Sequence, residues 1–366
     1  MISYIYIHIP FCIKKCSYCS FFSIKSDVNS IQRYVDFLKD EIALYKKEHK
    51  ILPKTIYFGG GTPSLLSSKQ INDILSQFDL KNIEEITLEA NPATLTETYI
   101  KNLKKTSVNR LSIGIQSMID DELKTLGRIH NSKQIEPIIK MLKNAGFNNI
   151  SLDLIYGLPK QKLADVTYSL SKIIELNPQH ISIYCLSLEE DVPLYQKRKF
   201  IPNDDIVRTF YDEIVSTLDK NDFSQYEISN FAKIGYESKH NSVYWNDKDY
   251  LALGTSASGY INGVRYNNPF DFNEYYNNVK NKKIMPNSHK ISYIEHAQEF
   301  LFLGLRQKSG IRIDEFLEKF DKKTFDLFYS KMSPFLKNGF IIKDDNRLFL
   351  SQDAFFVSNT IFSELV

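Results

Sequence analysis

Two hydrophobic periods alternate along the first 230 residues, and this alternation restricts the fold more than any other feature. Short β-like runs rich in Ile, Leu or Tyr fall at 4–9, 55–58, 86–89, 110–115, 150–154, 180–186 and 224–228, each bounded by Gly, Pro, Asn or Asp. Amphipathic stretches separate them. Ile31, Val35, Leu38, Ile42 and Tyr45 recur at helical spacing, as do Ile135, Ile138, Ile139 and Leu142. Ser67 and Ser68 precede a helix expected over 69–78, and Thr96 precedes one over 97–104. Repeated strand–helix units require parallel strands joined by right-handed crossovers. The expected class is therefore α/β: an open doubly wound sheet, or a full or partial barrel. Both place a ligand site at the C-terminal ends of the strands. The unusual residues fall there: the Gly59–Thr62 loop, Glu89, Gln116 and Asp153.

Beyond residue 230 the regularity lapses. Residues 231–285 read as irregular connection rich in Asn, Tyr and Gly, within a linking segment of 231–289. From 290 to 366 a different pattern appears. Helical runs at 294–305, 312–320 and 323–335 precede a hairpin over 340–350 that turns at Asp344–Asn346, and a last helix is expected over 354–365. Three helices and a hairpin suggest a winged-helix-like α+β domain with a packing or lid role, since no basic recognition face is visible.

Charge and hydropathy narrow the partners. The 366 residues carry 46 basic and 44 acidic side chains, net +2, so bulk charge gives no case for nucleic acid or a membrane surface. No apolar run approaches the roughly 18 residues of a membrane span. The N-terminus lacks a basic region ahead of its short apolar stretch, and the cytoplasm is the expected location. In that reducing compartment, clustered cysteines point to metal rather than to disulfides.

Three of the four cysteines fall within eight residues, as Cys12-x3-Cys16-x2-Cys19, in a loop after the first strand. Thiolates so spaced can hold three corners of an iron–sulfur cube. A fourth corner would stay open for a small chelating ligand, as catalytic metal sites keep a vacant position. The alternatives are a Cys3His zinc site using His8, or buried thiols. Cys185, inside the sixth strand, reads as a small buried hydrophobe. The segment Phe58-Gly59-Gly60-Gly61-Thr62-Pro63 follows the second strand, where glycines let the backbone approach a ligand and free N–H groups hold anions. Glu89, Gln116 and Arg128 are polar residues at or just after strand ends. Asp153 lies within an apolar run, where an unpaired carboxylate is costly. Together they suit a zwitterionic, ribose-bearing cation.

This cysteine spacing, with aromatic Tyr18 before the last cysteine, resembles the radical-SAM superfamily. There a [4Fe–4S] cluster binds S-adenosylmethionine (SAM) at its free iron and supplies the electron that cleaves it. The segments 111–117, 126–130 and 153–159 resemble oxygen-independent coproporphyrinogen III oxidases. The likeness to their heme-chaperone relatives is closer, and runs on through 226–232 and 235–245. It implies a partial (β/α)6 TIM-like barrel. It also implies cluster ligands Cys12, Cys16 and Cys19, and a SAM site at Tyr6, Tyr18, Gly60, Gly61, Thr62, Glu89, Gln116, Arg128, Asp153 and Ser187.

The same resemblance sets two functions against each other. A heme chaperone would bind heme and hand it to an acceptor, such as a respiratory heme protein, and could work as a homodimer. An oxidase would decarboxylate coproporphyrinogen III. The oxidases carry another Cys two residues after the third ligand, where this chain has Phe21, and an N-terminal arm, where only eleven residues precede Cys12. The run His240-Asn241-Ser242-Val243-Tyr244-Trp245 matches a segment linked with heme in the chaperones. It offers His240 as axial ligand, and Trp245 with Tyr244 as stacking partners. Ser258 stands where many chaperones have His. His8 is expected to orient the cluster and His130 to follow the SAM-site Arg128. The other histidines read as surface or strand-end residues. A radical-SAM enzyme acting on another substrate is the remaining alternative.

Overall fold

The computed structural model describes residues 1–365. Strand β1 (Ile2–Ile9) runs into the cysteine loop, which is closed by a two-residue parallel pairing of β2 (Phe11–Cys12) with β3 (Ile24–Lys25). Helix α1 (Val28–Glu48) starts where Asp27 accepts the N–H groups of Asn29 and Ser30. It buries Ile31, Tyr34, Val35, Leu38, Ile42 and Tyr45 on one face, at about 1.5–3 kcal/mol for each large side chain removed from water. Then follow β4 (Ile51–Gly60), α2 (Ser68–Leu75), β5 (Glu85–Ala90), α3 (Glu97–Leu103) and β6 (Arg110–Gln116). Next come α4 (Asp120–Thr125), α5 (Ile135–Asn144), β7 (Ile150–Tyr156), α6 (Leu163–Glu175), β8 (His180–Cys185) and α7 (Asp204–Asp219). Every strand–helix unit read from the sequence is present. Ser67 caps α2 through a reciprocal bond with Gln70, and Thr96 caps α3.

Sheet order decides between barrel and doubly wound sheet. β1, β4, β5, β6, β7 and β8 pair in chain order, all parallel, with no reversal. A doubly wound sheet reverses at a switch point. An unreversed order puts every crossover helix on one face, which is the arrangement of a partial barrel. Residue alternation fits this. Ile5, Ile7, Ile56, Phe58, Ile86, Leu88, Leu111, Ile113, Leu152, Leu154, Ile181 and Ile183 are buried in the main apolar core. The intervening residues are polar or aromatic: Tyr6 and His8, Thr55 and Tyr57, Thr87 and Glu89, Ser112, Ser151 and Asp153, Ser182 and Tyr184. These strands therefore face helices on one side and a polar lumen on the other.

The reading of 231–285 as irregular is corrected. β9 (Ser224–Glu227) and β10 (Asn230–Ala232) form an antiparallel edge beyond β8. Helix α8 (Lys239–Trp245) follows, and then β11 (Leu251–Leu253), which pairs parallel with β1 on the sheet's other side. Three apolar residues are too short a run to be read as a strand against the Asn- and Tyr-rich background. A small sheet of β12 (Ser258–Ile261), β13 (Val264–Asn267) and β14 (His289–Lys290) comes next, with α9 (Phe272–Lys280) between its last two strands.

The C-terminal part begins with α10 (Tyr293–Leu305), β15 (Ile311–Arg312), α11 (Ile313–Lys319) and α12 (Lys322–Lys337). The hairpin β16 (Ile341–Asp344) and β17 (Arg347–Leu350) pairs with β15, as in a winged-helix-like unit. The single terminal helix expected over 354–365 is two, α13 (Gln352–Phe356) and α14 (Ser358–Leu365). No helix among the described residues is long and apolar enough to cross a membrane.

Candidate functional site

A cavity of about 500 Å³ opens at the C-terminal ends of the barrel strands. Cys12, Cys16 and Cys19 line it, with Tyr18, Gly60, Gly61, Thr62, Glu89, Gln116, Arg128, Asp153 and Ser187. Of the expected site residues near the cluster, only Tyr6 does not reach this wall. Its hydroxyl meets His8 Nδ1 at 3.1 Å, and its ring lies against that of Tyr57, which does line the cavity. Tyr57, Ser112, Tyr184 and Cys185 are lining residues that the sequence reading missed. Strand alternation was the available signal for the first three.

The cysteine loop is anchored from several sides. The Ser17 N–H donates to Leu126 O at 3.0 Å, and its hydroxyl donates to Thr125 O at 2.7 Å. Ser17 O accepts the Leu194 N–H at 2.8 Å. Gly127 has φ +72°, and a Cβ there would come within 3.1 Å of Ser17 N. Glycine therefore seats the loop on the turn after α4 with the least strain. Thr62 Oγ1 lies 3.5 Å from Cys12 Sγ, and Arg128 Nη1 lies 3.4 Å from Cys16 Sγ. Burial raises the Cys19 thiol pKa. Among the described residues no three His, Cys, Asp or Glu side chains converge on a point where a single metal ion would sit. Ligands of a cluster sit at the corners of a cube and are more widely spaced.

His8 packs under the glycine loop, where a Cβ on Gly60 would fall 2.6–2.8 Å from its ring. Its Nε2 meets Phe22 O at 3.2 Å, and burial lowers its pKa to about 4. It braces the loop as a neutral ring, hydrogen-bonded on both nitrogens. His130 is likewise buried and bonded to Ile115 O.

Glu89 accepts from Tyr57 Oη at 2.8 Å and from the Gly60 N–H at 3.2 Å. Burial nevertheless raises its pKa to about 7, with nearby Asp153 adding to the rise. Asp153 sits in the middle of β7 rather than at its end, and it is not unpaired. The Ser112 hydroxyl donates to it at 3.2–3.3 Å and the Ser151 hydroxyl at 3.4 Å. Burial raises its pKa too. Two carboxyl groups held in this state are poised to be stabilised by an arriving cation.

Gln116 ends β6 with φ +67°, a left-handed conformation costly for a residue with a side chain. It is 9% exposed, and its Oε1 is buried without a partner, as is Arg128 Nε. Buried polar atoms left unpaired and a strained backbone are features of a site that a polar ligand completes. Three thiols, a glycine cradle, two half-buried carboxyls and these unpaired amide and guanidinium atoms fit a [4Fe–4S] cluster with SAM. Cys12, Cys16 and Cys19 would hold the cluster. Gly60, Gly61, Thr62, Glu89, Gln116, Arg128, Asp153 and Ser187 would hold the nucleotide.

Cys185 is corrected. It is exposed at the end of β8, where it borders this cavity, instead of lying in the core. The heme-linked residues are elsewhere. His240 is 1% exposed, with Nδ1 bonded to Thr55 Oγ1 at 2.7 Å and Nε2 to Tyr244 Oη at 2.9 Å. Both nitrogens are occupied and neither faces an opening, so this conformation does not offer His240 to heme iron. Trp245 is half-buried beneath the Arg306 guanidinium, 4.5 Å from its ring centre, and borders a separate cavity of about 260 Å³. Ser258 is exposed and bonded to Asn267. His180, expected at a strand end or surface, begins β8 but is fully buried, bonded to Ser151 and Tyr226.

Comparison with known proteins agrees with this geometry. Residues 6–173 match the model of the radical SAM superfamily, and residues 291–357 match the HemN C-terminal domain. The heme chaperone HemW of Lactococcus lactis is 35% identical over 99% of this chain and 96% of its own length. That of Bacillus subtilis is 34% identical over 98% and 97%. Among solved structures, coproporphyrinogen III oxidase (HemN) of Escherichia coli superimposes with a TM-score of 0.87 at 21% identity, over 100% of this chain and 90% of that one. This last likeness speaks to fold. The near-complete matches at about 35% identity settle the lineage: the chain belongs to the HemW family of the radical-SAM superfamily.

Proposed function

We propose that the protein is a heme chaperone that carries a [4Fe–4S] cluster and SAM at the barrel mouth, binds heme, and passes it to an acceptor protein. The observation carrying this reading is similarity over nearly the whole chain to proteins named heme chaperones. The cavity supports it. Phe21 takes the position where oxidases have a further Cys, and it lies at the rim 68% exposed. A large apolar ring held in water beside a polar pocket suits a flat apolar ligand. The acceptor would be a heme-requiring protein, such as a respiratory one, and the cytoplasm would be the place of loading.

Cys12, Cys16 and Cys19 would hold the cluster, which would make one-electron chemistry available at the SAM sulfonium. The chain's own work is to position and enclose. Glu89 and Asp153 would meet the cationic groups and ribose hydroxyls of SAM. Arg128 would meet its carboxylate, and the backbone of Gly60 and Gly61, whose N–H groups are held by Glu89 and Ile9 O, would let its methionine end approach closely. Tyr18 and Tyr57 wall off water.

The second reading, oxidative decarboxylation of coproporphyrinogen III, draws on the fold shared with HemN. One anaerobic experiment separates them. The cluster is reconstituted, heme is titrated by absorbance, and coproporphyrinogen III consumption is assayed with SAM and a reductant. Stable heme binding, transfer to an apo heme protein, and no decarboxylation are expected. Decarboxylation at a useful rate, without heme transfer, would overturn the chaperone.

A further inference from the structure

The run from His240 to Trp245 has a structural setting different from an exposed heme-ligand loop. It forms α8, which lies against the N-terminal ends of the barrel strands. The Glu85 carboxyl, at the first residue of β5, accepts the N–H groups of Lys239 at 2.9 Å and His240 at 3.1 Å. The Ser238 N–H donates to Tyr226 Oη at 3.2 Å, and that hydroxyl also meets Nε2 of His180, the first residue of β8, at 2.9 Å. Lys239 Nζ pairs with Glu84 at 2.8 Å. Helix α8 is therefore a floor fastened across the closed end of the barrel.

From this floor the His240 ring points up into the lumen. Thr55 and Tyr244 hold its two nitrogens. Its face lies against Tyr57, with ring centres 5.1 Å apart and planes 27° from parallel. Tyr57 spans the next layer, and its hydroxyl donates to Glu89 at the wall of the cluster cavity. A tyrosine hydroxyl can be only as well placed as its ring, and the ring is fixed by what its faces pack against. Tyr6 supports the Tyr57 ring from β1, with ring centres 6.1 Å apart, and His240 supports it from below.

We infer that His240 is a positioning residue for the SAM site: it supports the Tyr57 ring so that the Tyr57 hydroxyl orients the Glu89 carboxyl toward the nucleotide. This rests on the assignment of Glu89 to SAM. It makes the helix Lys239–Trp245 part of the barrel's support and assigns heme ligation to other groups. Burial lowers the His240 pKa to about 3, so the ring stays neutral and its support does not vary over the physiological pH range.

The full chain with its cluster reconstituted anaerobically provides the test, with SAM titrated by its effect on the cluster's paramagnetic resonance spectrum and hemin titrated separately by absorbance. His240→Ala removes the ring beneath Tyr57. It is expected to weaken SAM binding about tenfold, the scale of one hydrogen bond to a charged group, and to leave hemin binding unchanged. His240→Phe restores a flat ring but has no nitrogen to ligate iron, and most of the SAM affinity should return. Tyr57→Phe should weaken SAM to a similar degree, and His240→Ala should add little on top of it.

Unchanged SAM affinity in His240→Ala, full additivity with Tyr57→Phe, or loss of hemin binding in both His240 variants would each overturn the inference. Should His240→Ala not fold, His240→Phe decides alone: retained SAM and hemin binding supports the positioning role, and lost hemin binding overturns it. Failure of the unsubstituted protein to respond to SAM would instead reject the SAM site itself, and the two failures are distinguishable.

Discussion

At the scale of single residues, the site combines costs that only a ligand can offset. Glu89 is half-buried with two hydrogen bonds and a neighbouring carboxyl, and desolvation raises its pKa to about 7. A carboxyl with a raised pKa is largely protonated just below neutrality. A cationic ligand that binds the ionised form must displace that proton. SAM affinity should therefore rise as pH increases toward about 7, by up to about tenfold per unit, and level off above it. His8 and His130 have pKa values lowered to about 4 by burial and stay neutral throughout this window. Calorimetric titration of SAM between pH 6 and 8.5 checks this, and a flat profile would remove Glu89 from contact with the cation. Much of this residue-level picture was visible in the sequence, because cysteine spacing and a triple glycine are local patterns. The exposure of Cys185 was not. An apolar strand context does not show that the last residue is left uncovered where the strand ends at a cavity.

At the scale of elements, the parallel units could be read because each carries its own period and caps. The segment after residue 230 could not, because its order comes from distant partners. Strand β11 is three residues long and exists by pairing with β1. Its following turn is held by Glu41 on α1. That buried carboxyl accepts the Gly254 N–H, an Asn268 Nδ2 hydrogen and the Tyr275 hydroxyl, each at 2.8 Å. Gly254 has φ +92°, and a Cβ there would collide with the Tyr34 hydroxyl, which itself bonds His8 O and the Thr255 N–H. One carboxyl thus ties α1, the β11 turn and α9 together. Glu41→Ala would strand three buried donors and is expected to destabilise the ligand-free chain by about 3 kcal/mol. Urea denaturation followed by far-ultraviolet circular dichroism checks the value. A loss under about 0.5 kcal/mol, the scale of surface changes, would show that the segment is held otherwise.

At the scale of the whole molecule, the barrel has one closed and one open end, and the two sequence signatures divide between them. The cysteine loop, glycine cradle and carboxyls gather at the open end. The His240–Trp245 helix closes the other; the His240 ring stacks on Tyr57, and the Tyr57 hydroxyl bonds Glu89 at the cavity wall. The polar lumen that joins them was written in the strands as alternate residues, hidden by reading each run simply as rich in Ile, Leu or Tyr. The most direct test concerns the open end. In protein reconstituted anaerobically and reduced, the paramagnetic resonance spectrum of the cluster is recorded with and without SAM. The account predicts about four irons per chain, lost when Cys12, Cys16 or Cys19 is replaced by Ala, and a spectrum whose g values shift when SAM is added. Bound zinc in place of iron, or an iron spectrum indifferent to SAM, would contradict it.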